Sequence, residues 1–218
     1  MSVLITGTSN GIGKAVAEKF LHEGYEVIGI DRCASSIEHP SYRHIQADLR
    51  YDELPEIDAE ILILNAGVQN SEDDIDNNLK ATMRVAENYA DSPSLRSVLF
   101  NASASARNGY EFPAYVASKA GVVGYMKNLA CRLAPRGITV NALSLGGVLT
   151  SSNAAVMEDE ESWKAIMDVT PLKKWATLSE VADWVYFLTV TNRSMSGQDI
   201  LVDNGENDLN NTFVWPKN

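Results

Sequence analysis

Short apolar runs alternate along the chain with longer stretches in which apolar side chains recur every third or fourth position. Residues 3–6, 26–30, 44–47, 61–64, 97–101, 139–143 and 199–202 have the first pattern and predict strands; 13–23, 75–90, 115–133 and 178–188 have the second and predict helices. In the first helix Ala15, Val16, Phe20 and Leu21 share a face, and Gly24 ends it. Strands this uniformly apolar are covered on both faces, and their alternation with helices implies crossovers between parallel neighbours. The expected fold is α/β: a doubly wound, Rossmann-type parallel sheet in a three-layer αβα sandwich.

With no linker, repeat or low-complexity stretch in 218 residues, a single domain is expected over 1–205, followed by a tail at 206–218. Within the domain, 151–170 carries Met157, Trp163, Ile166 and Met167 at helical spacing beside the acidic run Glu158-Asp159-Glu160-Glu161. This segment is either an apolar lid over a substrate or a surface helix packed on the body. A net charge of −11 argues against nucleic acid or an anionic membrane as partner. No apolar run is long enough to span a bilayer, and the first strand begins almost at Met1, which leaves no room for a signal peptide. Cys33 and Cys131 lack metal-site spacing, so no metal is expected, and a reducing compartment fits. The expectation is a cytoplasmic protein.

Two motifs carry chemistry. Thr6 to Gly13 read T-G-T-S-N-G-I-G, a glycine-rich turn leaving an apolar strand and opening a helix. There Gly7, Ser9, Asn10, Gly11, Ile12 and Gly13 would present backbone N–H groups and a helix N-terminus to a dinucleotide pyrophosphate. Asp31 ends the second strand 18 residues after Gly13, where a carboxylate accepts from ribose hydroxyls and repels a 2′-phosphate. That places NAD(H) ahead of NADP(H), although the adjacent Arg32 guanidinium keeps NADP(H) open. The second motif, Tyr115 to Lys119, reads Y-V-A-S-K and sets a phenol and an ammonium one helical turn apart.

Together these motifs resemble the short-chain dehydrogenase/reductase family, in its T-G-x-x-x-G-x-G and Y-x-x-x-K group, over 3–205. The stretch T-P-L-K-K-W-A-T-L-S-E-V at 170–181 is most similar to 3-oxoacyl-acyl-carrier-protein reductases. The resemblance implies a catalytic set of Asn78, Ser103, Tyr115 and Lys119, with Asn78 anchoring a water that links Lys119 to solvent. It also implies that Asp48 and Leu49 meet the adenine, that Asn65, Ala66 and Gly67 support the sheet and line the adenine-ribose side, and that Gly146, Val148 and Thr150 lie beside the nicotinamide. Ser105 is an alternative to Ser103, and Arg107 would face an anionic substrate or solvent. The outer side of the Tyr115 helix, with Ala117, Ala120, Gly121 and Gly124 as a smooth strip, implies a homodimer or homotetramer.

Departures from the family pattern are specific. Only 12 residues separate Asp48 from Ile61, so the third crossover helix is expected to be very short or missing. The 65–78 segment is also abbreviated, Leu145 stands where the family has proline and loosens the following loop, and Asn204 replaces a glycine. These predict a compact, open site.

The expected chemistry is hydride transfer between a nicotinamide and a carbonyl or alcohol carbon, with Tyr115 exchanging the proton. A phenol of pKa near 10 can do so only with an adjacent positive charge such as Lys119, while Ser103 holds the substrate oxygen. The leading expectation is a reductase of 3-oxoacyl-type ketones; the second is a dehydrogenase of a small polyol, sugar or hydroxy acid. A non-catalytic dinucleotide sensor is the third, and the intact Ser103, Tyr115 and Lys119 argue against it.

Overall fold

A computed structural model describes residues 1–110 and 112–209. Seven parallel strands form one sheet in the order β3-β2-β1-β4-β5-β6-β7: β1 (Ser2–Thr6), β2 (Glu26–Asp31), β3 (Tyr42–Gln46), β4 (Ile61–Leu64), β5 (Ser97–Ser103), β6 (Thr139–Leu145) and β7 (Asp199–Val202). The order runs outward in both directions from β1 and β4, so the chain reverses its winding between them. β4 is buried at every position, whereas the edge strand β3 alternates toward solvent, as expected where helices cover the middle of a sheet more fully than its rim.

Helices α1 (Gly11–His22) and α7 (Leu178–Tyr186) cover one face, where Phe20, Tyr25 and Tyr186 pack edge-on or tilted with centroids 5.2–6.1 Å apart. Helices α2 (Ala81–Tyr89) and α4 (Pro113–Leu133) cover the other, burying Val85, Phe100 and Met126. Pro113 opens α4 at the one helical position where its missing N–H costs nothing, and Thr177 with Glu180 closes a capping box on α7. Two short helices, α3 (Ser105–Asn108) and α5 (Ala154–Met157), and the ten-residue α6 (Glu160–Val169) lie between them in the chain. The expected three-layer single-domain sandwich is the observed one.

The β3–β4 crossover contains no helix, as its length predicted. α2 supplies the donors that a helix would have made unnecessary: Arg84 Nη1 and Nη2 donate to the carbonyls of Leu49 and Asp52 at 2.7 and 2.6 Å, and the Tyr89 hydroxyl donates to Pro55 O at 2.9 Å. Leu54 and Ala59 then bury beneath the loop. The expected helix over 75–90 differs in its first half, where Ile75–Lys80 is a π-helix that continues into α2. Such widened turns change which face a side chain occupies, and here the buried one is Asn78. The expected tail at 206–218, with Phe213, Val214 and Trp215, lies mostly outside the described residues.

Candidate active site

A cleft of about 900 Å³ runs along the C-terminal ends of the strands, across the point where the winding reverses. Its first end is made of backbone. Gly7 has φ +76, and a Cβ there would stand 2.9 Å from Ala66 Cα; a Cβ on Gly13 would collide with Gly7 O. The turn and the start of α1 therefore pack at distances that only hydrogen permits. Asn10 caps α1 without a side-chain bond, the first turn carries no acid, and nothing lies within 4 Å of where a Gly11 Cβ would be. These are exposed N–H groups at a helix N-terminus, and they fit a pyrophosphate.

Asn65 ties this turn to the sheet. Its Nδ2 donates to the carbonyls of Thr6 and Gly7 at 3.1 and 3.2 Å, and its Oδ1 accepts from Asn101 Nδ2 at 2.8 Å. The Thr6 hydroxyl accepts from the N–H groups of Asn65 and Ala66. Asp31 lies in the cleft at the end of β2, its two oxygens accepting from Ser9 N at 3.0 Å and Cys33 N at 2.9 Å. Ser9 itself bonds Cys33 O and is not part of the cleft lining, whereas Asn10, Ile12 and Arg32 are. Asp48, Leu49, Ala66 and Gly67 line the same end. Asp48 is engaged by Arg50, whose Nη2 and Nε donate to it at 2.8 and 3.1 Å and hold its carboxyl below the usual carboxylate range. Arg50, a cleft residue the sequence reading missed, bonds Asp73 as well.

Midway along the cleft stand Tyr115 and Lys119, one turn apart on α4, with Lys119 Nζ 5.6 Å from the phenol ring centroid. Lys119 is 5% exposed and donates to Asn101 O at 3.1 Å. Ser103 is the last residue of β5 and lines the cleft; Ser105, behind it, donates to Ser103 Oγ through both Oγ (2.9 Å) and N (3.2 Å). Those two bonds occupy the lone pairs of Ser103, and what remains to it is its own hydrogen to donate. Asn78 is 1% exposed and lies behind the lining: its Oδ1 accepts from Val68 N, and its Nδ2 donates to Val68 O (both 2.8 Å) and to Ser118 Oγ at 3.1 Å. Gly67 sits between Asn78 and Lys119; a Cβ there would be 3.1 Å from Asn78 Oδ1 and 3.4 Å from Lys119 Nζ.

Beyond β6, Gly146, Val148 and Thr150 line the cleft. Leu145 does not loosen this loop. It is buried as the last ladder residue of β6, its carbonyl accepts from Ala104 N at 2.8 Å, and the loop is pinned to Ala176 by bonds from Ala176 N to Gly147 O and from Leu149 N to Ala176 O. Asn204 adopts φ +58, so asparagine does keep the left-handed turn. The lid segment splits at Glu158 and Asp159, where Asp159 caps α6 by accepting from Ser162 N. Val156 and Ile166 face the cleft with Trp175, against which Trp163 packs edge-on at 5.1 Å. Arg107 is exposed, as a loop arginine, and pairs with Asp199 at 2.9 Å and with Asp208 at 3.2 Å. The small-residue strip divides as well, because Gly121 packs on Leu79 within the chain while Ala117, Ala120 and Gly124 are exposed. No helix among the described residues is long and apolar enough to cross a membrane.

Comparison with known proteins agrees with this geometry. The family model described as short chain dehydrogenase matches residues 1–54, and the one described as enoyl-(acyl carrier protein) reductase matches residues 63–207. The 3-oxoacyl-acyl-carrier-protein reductase FabG of Staphylococcus epidermidis is 29% identical, covering 94% of this chain and 98% of its own. The glucose 1-dehydrogenase of Gluconobacter oxydans is 28% identical, covering 93% of this chain and 90% of its own. A crystal structure of a protein assigned as a 2-deoxy-D-gluconate 3-dehydrogenase from Agrobacterium tumefaciens, with NADP bound, superposes with a TM-score of 0.85 at 27% identity, covering 94% and 95% of the two chains.

Proposed function

The chain belongs to the short-chain dehydrogenase/reductase family and is an oxidoreductase, and we propose that it interconverts a ketone and a secondary alcohol with Tyr115 as general acid and base. The observation that carries this is the placing of the Tyr115 phenol, the Lys119 ammonium and the Ser103 donor on one cleft beside a phosphate-sized backbone cradle. When bound, the dinucleotide supplies a nicotinamide that accepts or gives the hydride. The chain's own groups handle the oxygen. Ser103 donates its remaining hydrogen to it, and Tyr115 takes or returns the proton. Lys119 favours the phenolate by its charge. Asn78 acts by position, fixing Val68 and α4 and so the places of Gly67 and Lys119; its carboxamide is occupied by those bonds.

Gly7, Asn10, Gly11, Ile12 and Gly13 would hold the pyrophosphate, with Asp31, Asp48 and Leu49 on the adenosine and Gly146, Val148 and Thr150 toward the nicotinamide. Asp31 keeps lone pairs for ribose hydroxyls after its two backbone bonds and repels a 2′-phosphate, which favours NAD(H) over NADP(H). The likeness to a 3-oxoacyl reductase and the apolar lid support an acyl ketone as substrate; the likeness to a glucose dehydrogenase supports a sugar or polyol. Assembly into a homodimer or homotetramer through the exposed outer face of α4 belongs to the same reading.

Following nicotinamide absorbance with both dinucleotides, against 3-oxoacyl thioesters and secondary alcohols, tests the proposal. Turnover that prefers NAD(H), with the preference lost in Asp31→Ala, is the expected result. Tight dinucleotide binding without turnover of any substrate would instead support a sensor.

A further inference from the structure

β5 passes directly into α3, and the turn between them carries the hydroxyl on the substrate side of the cleft. Ser103 is the last residue of β5, is paired with Leu145 in the ladder, and lines the cleft. Ser105 opens α3 and is 1% exposed. Both of its donors converge on one atom, with Oγ 2.9 Å and N 3.2 Å from Ser103 Oγ. The N–H bond is an ordinary way for a serine to close a turn onto the backbone ahead of it. The hydroxyl–hydroxyl bond is not needed for that turn.

The segment that carries Ser105 is tied down along its length. Ala104 N donates to Leu145 O at 2.8 Å, and Gly109, at φ +73, closes α3 by donating its N–H to Ser105 O at 3.0 Å. Arg107 fastens α3 to Asp199 of β7 at 2.9 Å, and Asn108 Nδ2 donates to Asn207 Oδ1 in the turn after β7. The Ser105 hydroxyl is therefore held by β6 and β7 as well as by its own turn.

A hydroxyl has two lone pairs and one hydrogen. With both lone pairs taken, Ser103 gives a hydrogen bond and cannot receive one. We propose that Ser105 is a positioning residue that fixes Ser103 as a donor, so that the hydrogen of a bound secondary alcohol is left to Tyr115; this rests on the ketone–alcohol reading above. A ketone oxygen accepts from Ser103. An alcohol oxygen accepts from it too, and its own hydrogen, refused by Ser103, goes to the phenol oxygen that must take it. In the oxidising direction the O–H bond breaks with its proton passing to Tyr115. The carbinol C–H bond breaks with its electron pair passing to NAD, and the C=O double bond forms. Reduction reverses each step. Donation into Ser103 also polarises its O–H, which strengthens the donor as negative charge gathers on the substrate oxygen.

Neutron diffraction from deuterium-exchanged crystals reads the polarity directly. The Ser105 deuterium is expected on the line to Ser103 Oγ, with the Ser103 deuterium turned away from Ser105. A Ser103 deuterium pointing at Ser105 Oγ would overturn the proposal. Kinetics read the consequence, with ethyl 3-oxobutanoate and ethyl 3-hydroxybutanoate, and fructose and mannitol, as matched ketones and alcohols. Ser105→Ala frees one lone pair and leaves the N–H bond in place, so the alcohol gains a second, unproductive place for its hydrogen. For oxidation, kcat and KM should then fall together by about two- to tenfold, the reach of one neutral hydrogen bond, while KM for the ketone stays within about twofold. Ser105→Cys, whose thiol is a weaker donor, should fall between wild type and Ser105→Ala. If Ser105 merely supported α3, KM would rise for ketone and alcohol alike; that result, or no change in either, would overturn the proposal. The expected deuterium positions without turnover of any ketone or alcohol would sink the ketone–alcohol reading and leave Ser105 its hold on Ser103.

Discussion

At the adenosine end of the cleft the charges are closed on one another: Asp48 on Arg50, Arg50 on Asp73, and Asp31 on two backbone N–H groups. At the substrate end the wall is amide, hydroxyl and one carboxylate beside Tyr115 and Lys119, while Arg107 and Lys174 pair with acids of their own. The first end is built from consecutive strand termini and one turn, and in the proposed reading its affinity for a dinucleotide would come from backbone groups that any sequence with the right glycines would present. The second is assembled from four separate segments, whose side chains are neighbours only in space. A phosphate cradle can therefore be common to a family while the substrate wall differs from member to member.

The sharpest test of the division is at the junction. Tyr115→Phe should lower kcat by about 10²- to 10⁴-fold, the range of a lost general acid and base, while dinucleotide affinity measured by calorimetry stays within about twofold. If affinity falls in parallel, the two ends are not separable. Gly13→Val should act on the first end only. Its Cβ collides with Gly7 O, so overpacking should cost about 1–3 kcal/mol in urea unfolding and weaken dinucleotide binding.

A smaller effect is expected from Arg84→Met, which removes charged donors from the Leu49 and Asp52 carbonyls of the helix-free crossover. Part of that loss is made good by water, leaving about 1–2 kcal/mol in stability. Dinucleotide affinity should drop with it because Asp48 and Leu49 ride on this loop, whereas substrate KM at saturating dinucleotide should not. An unchanged dinucleotide affinity would show that the loop is positioned without α2.

The smallest effect lies outside the cleft. Arg132, and secondarily the Tyr125 hydroxyl, hold Glu87 down to about 2. The folded value is depressed, so the stabilisation is present above the usual carboxylate range and is lost as pH falls toward 2. The pair is nearly half exposed, which limits it to less than about 1 kcal/mol. Glu87→Gln should flatten acid unfolding in that window and leave kcat/KM at neutral pH unchanged; a shift in activity would tie this α2–α4 bridge to the site.

Much was legible before any coordinates. Strand periodicity located all seven strands within about two residues at each end, because a parallel sheet covered on both faces demands continuous apolar runs. The glycine turn, Asp31, Ser103 and the Tyr115–Lys119 pair fall where local spacing put them, since each rests on a single element or on a strand end. The missing crossover helix followed from chain length alone.

The rest depended on contacts across the sheet. Asn101 gave no local signal as the partner of Lys119, nor Arg50 as the partner of Asp48, because those bonds are set by how neighbouring strands and loops stack. Arg107 was legible only as a cation in a loop; β7, more than ninety residues further along the chain, decided that it faces Asp199. Leu145 looked like a weakness until the ladder to Val202 and the bonds to Ala176 showed what holds the following loop. Sequence determined the elements and the chemistry each can bear, because hydrophobic period and backbone demands are local. The substrate wall and the destination of each charge were decided by tertiary structure, because charge pairing and burial depend on distance in space and not along the chain.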